Sequence, residues 1–293
     1  MKTKPLRWAI VTSAPKGEAG EQWGDTWFAR DLAEALQDLG QDAHVVARTG
    51  ANAPAREHDD VVLVLRGLRR VVPQRRPGQI WLQWVISHPE LIEPGELDEF
   101  DGVFVASEHW KPTTSITPLL QATNPRRFHP MNTVAGEEVL FVGSTRGEFR
   151  PMVRDAIGAG LPIGVYGVGW ETYIDSTFIR GAFLPNAELP QAYAAAGVVL
   201  NDHWSQMAES GFLSNRLFDA VAAGAHVVSD PALGLTDVFG DAVSIASSAV
   251  ELRAVIENPP IRNREADAER IAAEHSFTVR ARVLIDHVEA LRR

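Results

Sequence analysis

Short continuous apolar runs alternate along this chain with longer segments in which apolar residues recur every three or four positions. The first run, Trp8-Ala9-Ile10-Val11-Thr12, is stopped by Ser13, Pro15, Gly17 and Gly20. Residues 26–39 follow, with Trp27, Leu32, Leu36 and Leu39 near helical spacing and Gly40 as a helix stop. His44-Val45-Val46-Ala47 reads as the next strand. Asp60-Val61-Val62-Leu63-Val64-Leu65 is apolar without interruption after its first residue, the pattern of a strand covered on both faces of a parallel sheet. Residues 79–86 and 102–106 read as two further strands. Strands alternating with helices imply a parallel sheet with right-handed crossovers.

The rhythm breaks at Asn124-Pro125-Arg126-Arg127-Phe128-His129-Pro130, where two prolines and clustered polar residues mark a boundary. It then restarts. Strands are predicted at 139–143, 162–166, 198–201 and 226–228, and helices at 152–159, 189–196, 214–223 and 249–257. A long charged helical tail runs over 262–293. The expectation is an α/β chain of two Rossmann-like, doubly wound domains in tandem, residues 1–126 and 127–275, followed by a C-terminal helix at 276–293. Such domains bind ligands in the cleft facing the carboxyl ends of the strands. A length of 293 residues suits two domains at about 150 residues each.

Composition narrows the function classes. With 45% hydrophobic and 23% charged residues the chain is ordinary globular protein. No apolar run approaches the roughly 20 residues of a bilayer span. The basic start Met1-Lys2-Thr3-Lys4 leads into a short apolar run that reads as a first strand, not a signal peptide. The absence of cysteine excludes a disulfide scaffold, thiolate zinc and a cysteine nucleophile, and fits a cytoplasmic protein. A net charge of −10 argues against a nucleic-acid binder with a globally basic surface, while leaving room for a local phosphate pocket.

Four segments carry candidate chemistry. Loop 16–26 ends in Gly24, Asp25 and Thr26 at a helix start, where free amides can hold an anion or a sugar hydroxyl; the alternative is a surface loop with a helix cap. It matches neither a dinucleotide fingerprint nor a P-loop. His88 follows a strand directly, where α/β folds keep reactive groups, and His109 occupies a similar place and competes with it. Gly143-Ser144-Thr145-Arg146-Gly147-Glu148-Phe149-Arg150 joins a strand to a helix through a glycine turn with two arginines. Guanidinium groups and amides suit a diphosphate, and the alternative is an exposed charged turn. Glu209-Ser210-Gly211-Phe212-Leu213-Ser214-Asn215-Arg216 opens a further helix in which Asp219 lies downstream and Gly224 is the stop. Its N-terminus offers amides for a second phosphate contact, and Asp219 a carboxylate for ribose hydroxyls. An amphipathic helix with a C-terminal glycine also explains Gly224, though not the Ser-Asn-Arg opening.

In this order the segments resemble the two-domain GT-B glycosyltransferases, and most of all a CgeB-like (spore maturation protein) branch near the retaining family 4 enzymes. "GDTWFARDLAEALQDLGQDAHVV" is similar to the family's first helix and second strand, "NPRRFHP" to its interdomain linker and "FVGSTRGEFR" to the start of its second domain. "LPNAELPQAYAAAGVVLN" and "SNRLFDAVAAGAHVVSD" resemble the segments at the donor site. The resemblance implies transfer of a sugar from a nucleotide-diphosphate donor to an unidentified acceptor, retaining and independent of metal, with no cofactor. It implies diphosphate contacts from Arg146, Arg150, Ser214, Asn215 and Arg216, and a ribose contact from Asp219. His88 falls at the reacting centre. Gly24, Asp25, Thr26, Glu209 and Gly211 fall in sugar or acceptor loops. The tail helix packs back on the first domain. The family's paired carboxylates, eight residues apart, fall here on Gly211 and Asp219, so the first is missing, with Glu209 two residues earlier. A UDP-sugar 2-epimerase-like enzyme or a non-catalytic nucleotide-sugar-binding protein are the competing readings. No Asp-x-Asp segment of the manganese-binding kind is present, and neither a nucleic-acid partner nor a membrane span is expected.

Overall fold

The computed structural model describes residues 4–293, in two compact units. The first contains the chain up to Ala122, the four residues Glu209–Phe212, and His275–Arg293; the second contains Thr123–Ala208 and Leu213–Glu274.

In the first unit, β1 (Arg7–Val11) leads through the short α1 (Glu18–Glu21) into α2 (Gly24–Asp38), then β2 (Asp42–Val46), β3 (Val61–Arg66), β4 (Ile80–Val85), β5 (Gly102–Val105) and β6 (Thr117–Pro118). The six strands form one parallel sheet in the order β2-β1-β3-β4-β5-β6. Every residue of β3 is buried, as its unbroken apolar run predicts. α2 turns Phe28, Leu32 and Leu36, four residues apart, onto the sheet and ends where Gly40 adopts a left-handed backbone. The crossovers after β3 and β4 depart from the expected strand–helix alternation, for no α-helix forms there. Gly67, Pro73, Pro77 and Gly78 deny residues 67–79 a helix. Ion pairs hold the segment instead, Arg70–Glu99 at 2.6 Å and Arg75–Asp101 at 2.7 Å.

The second unit runs β7 (Val139–Val142), α3 (Pro151–Gly158), β8 (Ile163–Tyr166), β9 (Ile179–Gly181), α4 (Leu189–Ala195), β10 (Val198–Asn201), α5 (Ser205–Glu209), α6 (Asn215–Ala222), β11 (Val227–Ser229), α7 (Leu235–Phe239), β12 (Val243–Ile245), α8 (Ala249–Glu257) and α9 (Arg264–Glu274). Its parallel sheet has the order β12-β11-β10-β7-β8-β9. That is the strand order of a nucleotide-binding doubly wound sheet, with the switch between the two directions of winding at β7 and β10. In the first unit the corresponding switch lies between β1 and β3.

The tail is not one helix. α9 ends at Glu274, Ser276 is extended at φ −82° and ψ 157°, and α10 (Phe277–Leu291) starts anew. α9 packs on α6, whereas α10 packs on α2. Phe277, Ala281, Leu284 and Val288 of α10 lie in one buried cluster with Phe28, Leu32 and Trp84. Phe28 sits edge-on between Phe277 and Trp84, with centroids 4.7 and 5.2 Å away. Among the described residues no helix is long and apolar enough to cross a membrane.

Leu284 is fully buried in that cluster. Leu284→Ala should lower the free energy of unfolding by about 2–5 kcal/mol, the cost of a core cavity. Urea denaturation monitored by tryptophan fluorescence measures it.

Candidate functional site

The carboxyl ends of β7 and β10 lie side by side at the switch point of the second sheet, and each feeds a polar loop. After β7 come Ser144, Thr145 and Arg146, the last in a left-handed conformation at φ 61°. After β10 come Asp202, His203 and Trp204. The loop ends of β7 and β8 also touch backbone to backbone. A side chain on Gly167, at φ 149°, would meet the Gly143 carbonyl oxygen at 2.2 Å, so only glycine fits.

The two loops are tied together by Arg150 and Asp202, an ion pair in which both side chains are 2% exposed. Arg150 Nε donates to Asp202 Oδ2 at 3.2 Å, Nη2 donates to Oδ1, and Nη1 donates to the Ser144 carbonyl at 3.1 Å. Arg216 reaches the same place from α6. It donates to Asn201 Oδ1 at 2.7 Å and to the Val142 carbonyl at 2.6 Å. Both guanidinium groups face the Phe141 ring, at 4.6 Å for Arg150 and 5.3 Å for Arg216. Arg146 differs. Its guanidinium stacks over Trp204 at 4.5 Å and makes no hydrogen bond to the described residues. Desolvation, joined by the positive charges of Arg150 and Arg216, pushes its pKa down to about 9. Three cations thus repel one another beside the paired carboxylate of Asp202, with Glu148 and Asp230 also acting on them, and of the three Arg146 makes no side-chain hydrogen bond among the described residues.

The start of α6 is organised by His203. The Ser214 amide donates to His203 Nε2 at 3.1 Å, so the ring proton is on Nδ1 and is donated to Asp230 Oδ1 at 2.6 Å. Asp230 also accepts from the His203 amide at 2.9 Å. Asp219 accepts from Asn215 Nδ2 at 2.8 Å, one turn earlier. Of the expected diphosphate ligands, Arg150, Arg216 and the Ser214 amide are therefore engaged within the fold. Arg146 and the first-turn amides of Asn215 and Arg216, which have no partner inside the helix, remain for a ligand.

The first unit holds the other candidates. His88 follows β4 in a left-handed conformation at φ 55°, its Nδ1 2.8 Å from Glu90 Oε1. Asp25 stands in the first turn of α2. Burial raises its pKa to about 6 against the opposing pull of His88. Gly24 has open space around it. Thr26 is turned inward, its hydroxyl donating to the Gly20 carbonyl at 2.7 Å, so it caps the loop and is not presented to a ligand as expected. Glu209 is exposed at the end of α5. Gly211 has φ 71°, and a side chain there would press on His109 and on Ser107 Oγ, both at 3.1 Å. A side chain at the position of the missing first carboxylate would therefore be strained by the left-handed backbone and would have to push His109 and Ser107 aside. His109 lies against Gly211 in a turn closed by Ser107, whose hydroxyl accepts from the His109 amide at 2.9 Å and donates to the Ser210 carbonyl at 2.6 Å.

Sequence reasoning missed Asp202, His203, Trp204 and Asp230. They follow β10 and β11 directly, so reading every strand end and not only those with glycine turns would have found them. Among the described residues no three His, Cys, Asp or Glu stand together so as to hold a metal ion.

The family model described as "Glycosyl transferase-like" matches residues 146–286. Among solved structures, AviGT4, a glycosyltransferase involved in avilamycin A biosynthesis, is similar with a TM-score of 0.71 and 16% identity over 96% of each chain. Sucrose-phosphate synthase from Thermosynechococcus elongatus has a TM-score of 0.68 and 15% identity over 98% of this chain and 99% of its own. T4 phage BGT, solved in complex with UDP and Mn2+, has a TM-score of 0.63 and 10% identity over 95% of this chain and 98% of its own. No curated protein matches in sequence. The fold is that of GT-B glycosyltransferases, and the stretch 146–286 is glycosyltransferase-like in sequence.

Two substitutions separate structure from ligand contact. Arg150→Ala strands the buried Asp202 carboxylate and should cost about 3–5 kcal/mol of stability, whereas Arg146→Ala should leave the denaturation midpoint nearly unchanged. Gly211→Glu should not supply the absent carboxylate but destabilise the chain by at least about 1–2 kcal/mol, the cost of a left-handed non-glycine residue before any clash. Denaturant titrations of the three variants check both.

Proposed function

We propose that this protein is a glycosyltransferase that moves a sugar from a nucleoside-diphosphate donor to a hydroxyl-bearing acceptor. The observation that carries the reading is the gathering of positive charge at the switch point of the second sheet, where Arg150 and Arg216 face Phe141, Arg146 stacks over Trp204, and Asp202 is the carboxylate paired with Arg150. An excess of fixed positive charge beside free helix amides suits a diphosphate, and suits it better as the bond to the sugar breaks and charge builds on the leaving oxygen. Arg146 is the direct contact. Arg150 and Arg216 act through the field of charges they hold in place. Asp219, steadied by Asn215, is the ribose contact. UDP in the T4 phage neighbour supports the nucleotide class.

Three finer points belong to the proposal alone. Retention of anomeric configuration and the CgeB-like branch rest on the sequence resemblance. Independence of metal rests on the arginine cluster as the neutralising charge, and the Mn2+ in the T4 phage neighbour makes it a point to test. A nucleotide-sugar-binding protein without transfer is the second reading, favoured by the glycine at position 211, where the first donor carboxylate would fall and where a side chain would be strained.

Calorimetry with UDP, and nucleotide release from a panel of UDP-, GDP- and dTDP-sugars, test these readings. Wild-type protein should bind UDP and release nucleotide in the presence of an acceptor, with and without EDTA. Arg146→Ala should weaken UDP binding by about 1.5–3 kcal/mol, the scale of a hydrogen bond to a charged group. Binding without release from any donor supports the second reading, and activity abolished by EDTA moves the neutralising charge to a metal.

A further inference from the structure

The turn that carries Arg146 is built from bonds in which its side chain takes no part. The Glu148 amide donates to the Thr145 carbonyl at 3.2 Å, closing a four-residue turn with Arg146 and Gly147 at its centre. Both central residues are left-handed, at φ 61° and 83°, as in a type I′ turn. Glycine, asparagine and aspartate dominate such turns, and an arginine at the first central position holds its backbone at a cost in energy. The surroundings are firm. The Thr145 amide donates to the Val168 carbonyl at 3.1 Å, the Tyr173 hydroxyl to the Gly147 carbonyl at 2.8 Å, and the Trp170 indole to the Gly143 carbonyl at 2.8 Å. The turn would hold without arginine, and with less strain.

The side chain of Arg146 lies on an aromatic platform. Its guanidinium carbon is 4.5 Å from the centre of the Trp204 ring. That ring stands on an anchored loop. Just before it, Asp202 is paired with Arg150, and His203 is bound to Asp230 through both its amide and its ring. Just after it, the Trp204 carbonyl accepts from the Ala208 amide at 2.9 Å as α5 begins. An aromatic face holds a guanidinium by its flat side and leaves the N–H groups in the plane of that cation free to donate. Arg150 instead spends its donors on Asp202 and Ser144, and Arg216 on Asn201 and Val142. Of the three arginines, Arg146 is the one held without spending hydrogen bonds on the described residues.

We propose that Trp204 is the positioning residue of the diphosphate site: its indole face fixes the plane of Arg146, so that the guanidinium edge meets the phosphate oxygens as a preformed fork. The inference rests on the transferase reading above, in which Arg146 contacts the donor diphosphate. Trp204 touches no phosphate and acts through Arg146. A free surface arginine loses rotamer freedom when it binds an anion, whereas a stacked one has already lost it. Arg150 and Arg216 repel Arg146, and the negative face of the indole supplies the attraction that offsets them. The strained turn and the stacked side chain therefore have one product, a cation oriented before the ligand arrives.

The test is calorimetry on the full chain with two probes, UDP and inorganic pyrophosphate. Trp204→Ala should weaken both by about fivefold to thirtyfold, the worth of a cation on an aromatic face. Trp204→Phe keeps a face and should regain most of that loss, whereas Trp204→Leu keeps bulk alone and should not. This last pair decides the matter even where the alanine variant folds poorly. In an Arg146→Ala background, Trp204→Leu should cost nothing further, because the ring then has no guanidinium to hold. Arg146→Asn suits the turn better, so it should keep or raise the denaturation midpoint while losing pyrophosphate affinity. Losses that persist undiminished in the Arg146→Ala background show a ring that serves the fold, and losses that spare pyrophosphate show one that serves the nucleoside. Either result overturns this inference alone. A wild type that binds neither probe overturns the donor reading and this inference with it.

Discussion

The buried pair of Arg150 and Asp202 is the constraint on which the second unit's site depends. Both side chains are almost wholly out of water, and each is too costly to bury alone. Because Arg150 comes from the start of α3 and Asp202 from the end of β10, their pairing fixes the spacing of the two loops at the switch point. The Ser144 carbonyl takes a third guanidinium bond, so the turn that carries Arg146 is held as well. Arg216 then finds a ready frame, with one end on Asn201 and the other on β7, and its alignment sets the first turn of α6.

His203 does for α6 what a capping hydroxyl does for other helices. Its neutral ring passes a hydrogen bond from the Ser214 amide on one side to Asp230 on the other, while Ser214 itself makes no side-chain cap. The helix start is thereby bound to the ends of two strands. Electrostatic preorganisation of this sort costs nothing further when charge develops on a ligand, because the dipoles already point the right way.

Much of this was legible in the sequence. The unbroken apolar run of β3, the helical spacing in α2 and the proline pair before β7 carry the two-sheet architecture, and the glycine turn with Arg146 and Arg150 falls at the switch point of the second sheet. Residues 262–293 read as one helical stretch with a last helix at 276–293; the extended Ser276 divides it into α9 and α10, which pack on different partners. The three-residue strands β9 and β12 are too short to show a period. Roles within the site were less legible than places. Arg150 and Arg146 look alike in sequence, and which of them spends its charge on Asp202 is decided by a residue some fifty positions away. Gly211 reads only as a missing acid, and the strain that any side chain would meet there comes from a left-handed backbone and the neighbouring His109, which sequence does not show.

The seat of α10 bears on how this protein is made. Phe28 lies between Trp84, which is close to it along the chain, and Phe277, which is separated from it by the whole of the second unit. On the ribosome the first sheet emerges early with an apolar face on α2 that its own sequence cannot cover. That face stays open to water, or to chaperones, until α10 has been synthesised. The second unit has all of its residues by Glu274, so it is the first unit, begun earlier, whose core waits for the last helix.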